Sequence, residues 1–223
     1  MMWSGVLAVL EKDLRIEWRT KESLASFVVL GVLLVVIFSV AIDPSPEDAP
    51  RLAPAVLWAA FVFTGLLGIQ RGFVLEREND CLGGLLASPL DPAVLYLGKL
   101  AANVVLLAVM QALVLPLVAV LLHAEMARVL PALIVVLLLG NVGFAALATL
   151  FAAMTVRARA REVMLPVLLL PLLVPVLIGG VKATEAALRG GFGAAVGALG
   201  VLAAFDAIFV VAGVLLFEQV IRD

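Results

Sequence analysis

Long apolar runs separated by short charged segments set the pattern of this chain. A run crosses the hydrocarbon layer of a membrane when it supplies roughly 20 helical residues for a thickness of about 30 Å. By this measure the pattern predicts an all-α, polytopic membrane protein with six transmembrane helices in a single domain, residues 1–223. The predicted spans are residues 24–42, 52–69, 93–122, 129–154, 163–181 and 201–221.

Residues 1–22, ahead of the first span, predict a helix of a different kind. Apolar side chains recur there at spacings of three or four and form one stripe, made of Trp3, Leu7, Leu10, Leu14 and Trp18. The charged residues lie mostly off this stripe, so we expect an amphipathic helix in the plane of the membrane interface, where Trp is favoured. A solvated charged leader is the alternative, and it accounts less well for the two Trp.

Several local signals refine the spans. Asp91 followed by Pro92 predicts a helix start, because the carboxylate can cap free N–H groups while proline fills the first turn. Lys99 is expected to snorkel toward one end of the third span. Three prolines break the fifth span, and the Gly- and Ala-rich residues 182–200 predict a short re-entrant or surface helix before the last span.

Composition agrees with a membrane protein, since the chain is 65% hydrophobic and 14% charged. We expect no cleaved signal segment, so Met1 would begin the mature chain. The single cysteine, Cys81, excludes an intramolecular disulfide and is interpreted as a small apolar residue. A net charge of -2 indicates little, because the positions of Lys and Arg matter more in a membrane chain.

The positive charges predict the orientation. With six spans, most of them fall on the side of the termini: Lys12, Arg15, Arg19, Lys21, Arg71, Arg77, Lys99, Arg157, Arg159, Arg161 and Arg222. The opposite side has only Arg51, Arg128, Lys182 and Arg189. The positive-inside rule therefore predicts that both termini and both strongly charged loops are cytoplasmic.

Residues 71–92, which we call the charged island, read RGFVLERENDCLGGLLASPLDP and concentrate charge between the second and third spans. We interpret the island as a docking surface for a soluble partner, built on a short amphipathic helix at residues 73–82. The residues expected to make this contact are Arg71, Phe73, Glu76, Arg77, Glu78, Asn79 and Leu82. A merely solvated loop is the alternative.

A second charged segment follows the fourth span. It contains Arg157, Arg159, Arg161 and Glu162. We consider it as a second cytoplasmic contact, although three arginines after a span are also what membrane topology alone selects.

Isolated polar residues inside the spans are further candidates. Gln111, Asn141 and Asp206 stand in apolar surroundings, where polar groups are costly and face other helices, water or an interface. We expect Asp206 to form a hydrogen bond between helices rather than to serve transport. His123, the only histidine, is predicted on the outer side as an ordinary loop residue.

The sequence argues against an enzyme. A Gly-x(4)-Gly-Lys-Ser/Thr motif does not occur, and Gly98–Lys99 is followed by Leu100. A single histidine and the lack of clustered acids within the spans leave no catalytic or metal-ligand constellation. Any ATP must therefore be bound by another subunit, and we expect no cofactor bound by this chain alone.

The order of these elements resembles the six-span permease subunits of ABC-2-type ABC transporters, which carry variants of the R-x(4)-E-R-E-N element found here at residues 71–79. Other segments are similar to the CcmB family, the haem exporter B proteins of cytochrome c maturation. They are KDLRIEWRTKESL (12–24), AAFVFTGLLGIQRGFVLEREND (59–80), LYLGKLAAN (95–103), FDAIF (205–209) and FEQV (217–220).

The resemblance covers essentially the whole chain and implies a set of partners. Members of the family pair with a cytoplasmic ABC ATPase subunit, a haem-handling membrane protein and a small membrane subunit. ATP hydrolysis then serves to deliver haem to a periplasmic haem chaperone, or to release the loaded chaperone, in the bacterial inner membrane. A second copy of the chain and the lipid bilayer are expected partners, and nucleic acid is not. With haem as cargo, haem ligation by His123 is the less favoured alternative to its role as a loop residue. An ABC-2-type permease exporting a lipid, polysaccharide or drug is the alternative.

Overall fold

The structure is a computed structural model that describes residues 2–20, 22–42, 45, 47–78, 91–155 and 161–222. Within these ranges the chain is almost entirely helical and contains no strand, so the predicted all-α class is confirmed. The helices are α1 (Met2–Thr20), α2 (Glu22–Ile42), α3 (Ala49–Glu78), α4 (Pro92–Leu121), α5 (Leu130–Thr155) and α6 (Arg161–Arg222). A 3₁₀ turn, Met126–Val129, joins α4 to α5.

Four helices in the described ranges are long and apolar enough to cross a membrane. The crossing segments are Ala49–Ile69, Pro92–Leu121, Met126–Thr155 and Met164–Val220. A shorter apolar segment, Phe27–Ile42, lies in α2. The chain is therefore a multi-pass membrane protein, and the count of six spans stays a prediction.

Helix α6 is too long to cross a membrane once. Its 62 residues would extend about 93 Å at 1.5 Å per residue. Gly191 interrupts it with φ 73° and ψ -165°, a conformation that is essentially restricted to glycine. Leu202 Cδ2 lies 3.0 Å from the position that a Cβ on Gly179 would take, so the two arms, residues 161–190 and 192–222, fold back on each other.

The predicted short helix at residues 182–200 is therefore wrong. These residues form the end of the first arm and the beginning of the second, joined at Gly191. Other glycines in the segment, such as Gly193 and Gly197, stay inside regular helix. Glycine weakens a helix without ending it, and here only one position uses its backbone freedom.

The predicted start of α4 is confirmed. Asp91 accepts a hydrogen bond from the backbone N–H of Ala93, 2.9 Å from its Oδ1, and Pro92 is the first helical residue. The cap satisfies one of the N–H groups that the first turn leaves free.

The packing centre of the bundle is the indole ring of Trp58, which is fully buried. A Cβ added at Gly140 of α5 or Gly180 of α6 would overlap this ring, so both helices approach α3 closely there. The indole N–H donates to Thr184 Oγ1 at 2.9 Å, and the hydroxyl donates to the Gly180 carbonyl at 2.8 Å. Trp58 thus joins α3, α5 and α6 by shape and by a buried hydrogen bond.

Helix α1 presents different faces to the protein and to its surroundings. Val6 and Val9 are buried. Trp3, Leu7 and Trp18 of the predicted stripe are 77%, 59% and 65% exposed. Leu10 and Leu14 of the same stripe are partly buried, so the stripe is exposed at both ends of the helix, and its place in the membrane interface stays a prediction.

The Trp58 contact yields a stability prediction. Gly180→Ala places a methyl group against a ring that has no free space, so we expect a loss of about 1–3 kcal/mol of unfolding free energy. The matched control is Gly197→Ala in the same helix, where no heavy atom lies within 4 Å of the new Cβ. The control should be neutral or slightly stabilising. Unfolding in detergent measures both variants, and equal effects would contradict the packing argument.

Candidate functional site

The first part of the charged island continues α3. The apolar crossing segment ends at Ile69, and the helix runs on without a break to Glu78, about 13 Å further at 1.5 Å per residue. The sequence had predicted a separate helix beginning at residue 73, but no helix begins there, because α3 continues through this position. The backbone of Arg71, Phe73, Glu76, Arg77 and Glu78 thus forms the last turns of α3.

Most side chains of the predicted contact surface lie outside the described part of the chain. The side chains of residues 70–78 lie outside the described part of the chain, and so do Asn79, Cys81 and Leu82. In the second charged segment, Arg157 and Arg159 lie outside it entirely. Arg161 and Glu162 form the start of α6, with only their backbone described.

Contacts between helices show which ends lie together. Ser39, near the end of α2, donates to the Leu121 carbonyl at the end of α4. A Cβ on Gly31 of α2 would lie 2.9 Å from Val114 Cγ2 of α4, so the two helices run parallel. A Cβ on Gly68 of α3 would overlap the Phe27 ring near the start of α2. Tyr96, near the start of α4, reaches the Ala146 carbonyl in the second half of α5.

These contacts place the end of α3, the start of α4 and the end of α5 at one end of the bundle, which we call the island end. The start of α6 follows α5 at this end. The described flanks of the two charged segments, which are the end of α3 and the starts of α4 and α6, therefore lie at the same end.

Buried charges mark the junction of α1 and α4 near the island end. Lys99 is 4% exposed, and its Nζ lies 3.6 Å from Asp13 Oδ2. Lys12 also reaches Asp13, at 2.8 Å, and Glu17 is 5% exposed. Lys99 is thus directed at α1 within the protein, which corrects the expectation that it snorkels to the membrane surface. Sequence reasoning missed this pair because the two residues are far apart in the chain.

The intramembrane candidates prove to be incompletely bonded. Asn141 Nδ2 donates to Gln111 Oε1 at 2.9 Å across the α4–α5 interface. Gln111 Nε2, Asn141 Oδ1 and Asp206 Oδ1 are the buried side-chain atoms without a partner among the described residues. Reversing both amides would still leave one donor and one acceptor free, because two amides share a single bond.

Asp206 does not join the two amides. Its Oδ1 lies 2.5 Å from the position that a Cβ on Gly143 would take, and the ring of Phe205 borders the same glycine. The expected hydrogen bond between helices is therefore absent at this oxygen. Gly143 instead leaves room for the carboxyl group at the α5–α6 interface.

Two further polar contacts on α4 were not predicted. Tyr96 donates to the Ala146 carbonyl at 3.1 Å, and Asn103 Nδ2 donates to Thr149 Oγ1 at 2.9 Å. The seven-residue spacing puts Tyr96 and Asn103 on one face of the helix. The sequence signal for this polar contact face of α4 is the spacing of seven residues between Tyr96 and Asn103.

His123 occupies the turn after α4 and has a positive φ of 53°. Among residues other than glycine this conformation is uncommon, and His, Asn and Asp are enriched in it. Among the described residues, no three His, Cys, Asp or Glu side chains are grouped so as to hold a metal ion. The backbone therefore supplies a structural reason for a histidine at this position.

The Gln111–Asn141 pair is open to a double-mutant cycle. Asn141→Leu should cost stability because it leaves the whole Gln111 amide buried without a partner, a loss of about 1–3 kcal/mol. Adding Gln111→Met removes that orphaned group. The double variant should therefore lose less than the sum of the single variants, with a coupling of about 0.6–1.7 kcal/mol. Strict additivity in detergent unfolding would show that the bond contributes nothing.

The turn at His123 gives a second prediction. His123→Gly and His123→Asn should unfold at the same temperature as the parent, whereas His123→Val should lose about 1–2 kcal/mol because its backbone resists positive φ. Thermal unfolding in detergent distinguishes the three variants. If the glycine variant keeps its stability but loses the activity of the parent in cells, the imidazole has a role beyond the turn.

Comparison with known proteins covers nearly the whole chain. The family model described as CcmB protein matches residues 4–222. Heme exporter protein B of Pseudomonas aeruginosa is 31% identical over 82% of this chain and 81% of its own length. The proteins of the same name from Rhodobacter capsulatus and Paracoccus denitrificans are each 32% identical, over 78% and 84% of this chain and 80% and 84% of their own lengths. The chain belongs to the CcmB family.

Proposed function

We propose that this chain is the membrane subunit of an ABC-type complex that handles haem for cytochrome c maturation. The family match over residues 4–222 is the observation that carries the proposal. The similar proteins are named heme exporters, and the chain covers about four fifths of their length. Haem is then the cargo of the complex, and delivery to a periplasmic chaperone, or release of the loaded chaperone, is the step that ATP drives.

The ATP itself is bound by a separate cytoplasmic subunit. This part of the proposal is supported by the sequence, which contains no phosphate-binding Gly-x(4)-Gly-Lys-Ser/Thr loop. The chain would catalyse no reaction and bind no cofactor of its own. Its contribution is mechanical, because motion in a cytoplasmic ATPase reaches the membrane only through contact with the cytoplasmic end of this subunit.

Helix α3 is suited to transmit such motion. It runs as one helix from Ala49 to Glu78, and its only internal proline, Pro54, lies near the far end. The same helix carries Trp58, which packs against α5 and α6. A displacement of residues 71–78 by the ATPase would therefore reach the packing centre of the bundle along a continuous helix.

The proposed topology has six crossings and both termini in the cytoplasm. The crossings are α2, α3, α4, α5 and the two arms of α6. The hairpin at Gly191 supports counting α6 twice, and the excess of Lys and Arg on the terminus side supports the orientation. The complex would contain two copies of the chain with two ATPase subunits, and it would reside in the bacterial inner membrane with the haem-handling protein and a small membrane subunit.

A charge reversal tests the contact with the ATPase. Glu76→Lys combined with Glu78→Lys replaces two acids by two bases at the end of α3. If these acids make charge-assisted contacts, the ATPase subunit should be lost from a tagged pull-down in mild detergent. Cytochrome c maturation should fall about tenfold or more, in line with the loss of two such contacts.

The matched control reverses two acids at the opposite end of the bundle. Glu47 and Glu125 are both exposed there, and Glu47→Lys with Glu125→Lys makes the same change in net charge. The control should retain the ATPase subunit and the haem absorption band of the purified complex. Unchanged recovery from the Glu76/Glu78 variant would refute the proposed contact. Recovery of an ATPase from the parent without haem or a haem-handling protein would move the cargo to another class of molecule.

A further inference from the structure

Helix α1 belongs structurally to α4, although α2 follows it in the chain. It packs chiefly against α4 and only slightly against α2. The contact is closest at Gly98, where an added Cβ would lie 2.6 Å from Val9 Cβ and 3.2 Å from the Val6 carbonyl oxygen. The backbone of α1 therefore lies directly against α4. A larger residue at position 98 would push the two helices apart.

The neighbouring residue adds an electrostatic constraint to this contact. Lys99 is 4% exposed, and its ammonium lies 3.6 Å from the Asp13 carboxylate of α1. An ammonium group withdrawn from water is stabilised by a nearby anion. Lys12 also lies 2.8 Å from Asp13, so separating the helices would take this carboxylate away from the buried Lys99 while the carboxylate keeps a second cation. Movement of α1 away from α4 is thus opposed by charge as well as by packing.

Apolar packing at the island end follows the same division. Val9 of α1 shares a buried cluster with Leu95 and Tyr96 of α4, Leu150 of α5 and Phe217 of α6. Phe27 of α2 and the buried residues of α3 belong to the other, larger cluster, which also contains Leu107, Met110 and Val114 of α4. The start of α4 therefore packs with α1, and its later turns pack with α2 and α3.

We propose that α1 and α4 move as one body, and that Lys99 is the positioning residue that holds them together through Asp13. The inference rests on the proposed function, because the motion in question is the one that ATP drives. The N-terminal helix would then follow the displacement of α4 rather than slide along it. The ion pair does not contact cargo or nucleotide, and its effect reaches them through the position of α1.

The first test removes the charge and keeps most of the side-chain volume. In Lys99→Met we expect the ATPase subunit to co-purify as before, while cytochrome c matured per ATP hydrolysed falls about tenfold, a typical size for lost coupling between sites. Amide hydrogen exchange across residues 2–20 should rise in the purified chain, which needs no partner subunit.

The second test replaces the ion pair by a covalent bond. Val9→Cys with Gly98→Cys brings two Cβ atoms closer than the ~3.8 Å usual in a disulfide, so α1 need shift outward only by about 1 Å. Introduced into Lys99→Met and oxidised, this disulfide should restore both the maturation yield and the slow amide exchange. Parent protein with Cys81 alone, oxidised in the same way, is the control.

Three results would overturn the inference. Lys99→Met could match the parent in yield and exchange, the disulfide could abolish maturation while Lys99 is present, or the disulfide could fail to rescue Lys99→Met. The second result would show that α1 must slide along α4. Failure of the proposed function is recognised separately, because the parent would then recover no ATPase subunit, and amide exchange in the purified chain would still decide the role of Lys99.

Discussion

The fit of the Trp58 ring against Gly140 and Gly180 is the constraint on which the rest of the bundle depends. Inside a bilayer, apolar side chains gain little by leaving lipid for protein, so helices associate through close packing and buried hydrogen bonds. Trp58 provides both, since its ring fills the space above two glycines and its N–H bonds Thr184. The spacing of α3, α5 and the first arm of α6 is therefore fixed at this level.

The island end is held by a different kind of contact. There the side chains of Tyr96, Lys99 and Asn103 reach partners on α5 and α1. Glycines also provide close approaches at this end, at Gly68 to the Phe27 ring, at Gly98 to α1 and at Gly213 to the Tyr96 ring. The bundle thus combines a centre fixed by shape with an end where polar pairs are added to such contacts, and the proposed ATPase contact is attached to that second end.

Features with local causes could be predicted from the sequence. The crossing segments follow from the length and composition of apolar runs, and the start of α4 follows from Asp91 and Pro92, whose capping involves only the next residues. The cost of polar groups in a membrane was enough to single out Gln111, Asn141 and Asp206. Each of these statements depends on a residue and its immediate neighbours in the chain.

Features that depend on distant residues could not be predicted in the same way. The apolar pattern of α1 identified the exposed stripe with Trp3 and Trp18, but the buried face depends on Gly98 and Lys99, which lie some eighty residues away. The Gly- and Ala-rich composition of residues 182–200 predicted a short separate helix there, whereas the structure has two long arms that meet at Gly191. The turn falls at Gly191 alone because the two arms must align there, and that condition involves residues on both arms.

Glycine contacts and polar pairs respond differently when two helices are displaced. This difference determines how a force applied at the island end would be transmitted through the bundle. A contact formed around glycine tolerates no added atoms. At the Trp58 ring it contains no charged group, so separating the helices there leaves no charge without its partner. The Lys99–Asp13 pair tolerates some change in shape, but separating it takes the Asp13 carboxylate away from a buried ammonium, although Lys12 still lies 2.8 Å from that carboxylate. A body joined by such pairs stays together under small displacements, whereas glycine contacts set the distance at which whole helices meet. Motion entering through α3 would therefore meet the Gly68–Phe27 contact before it reaches the Trp58 contacts, and α4 would respond together with the helices to which its polar side chains are bonded.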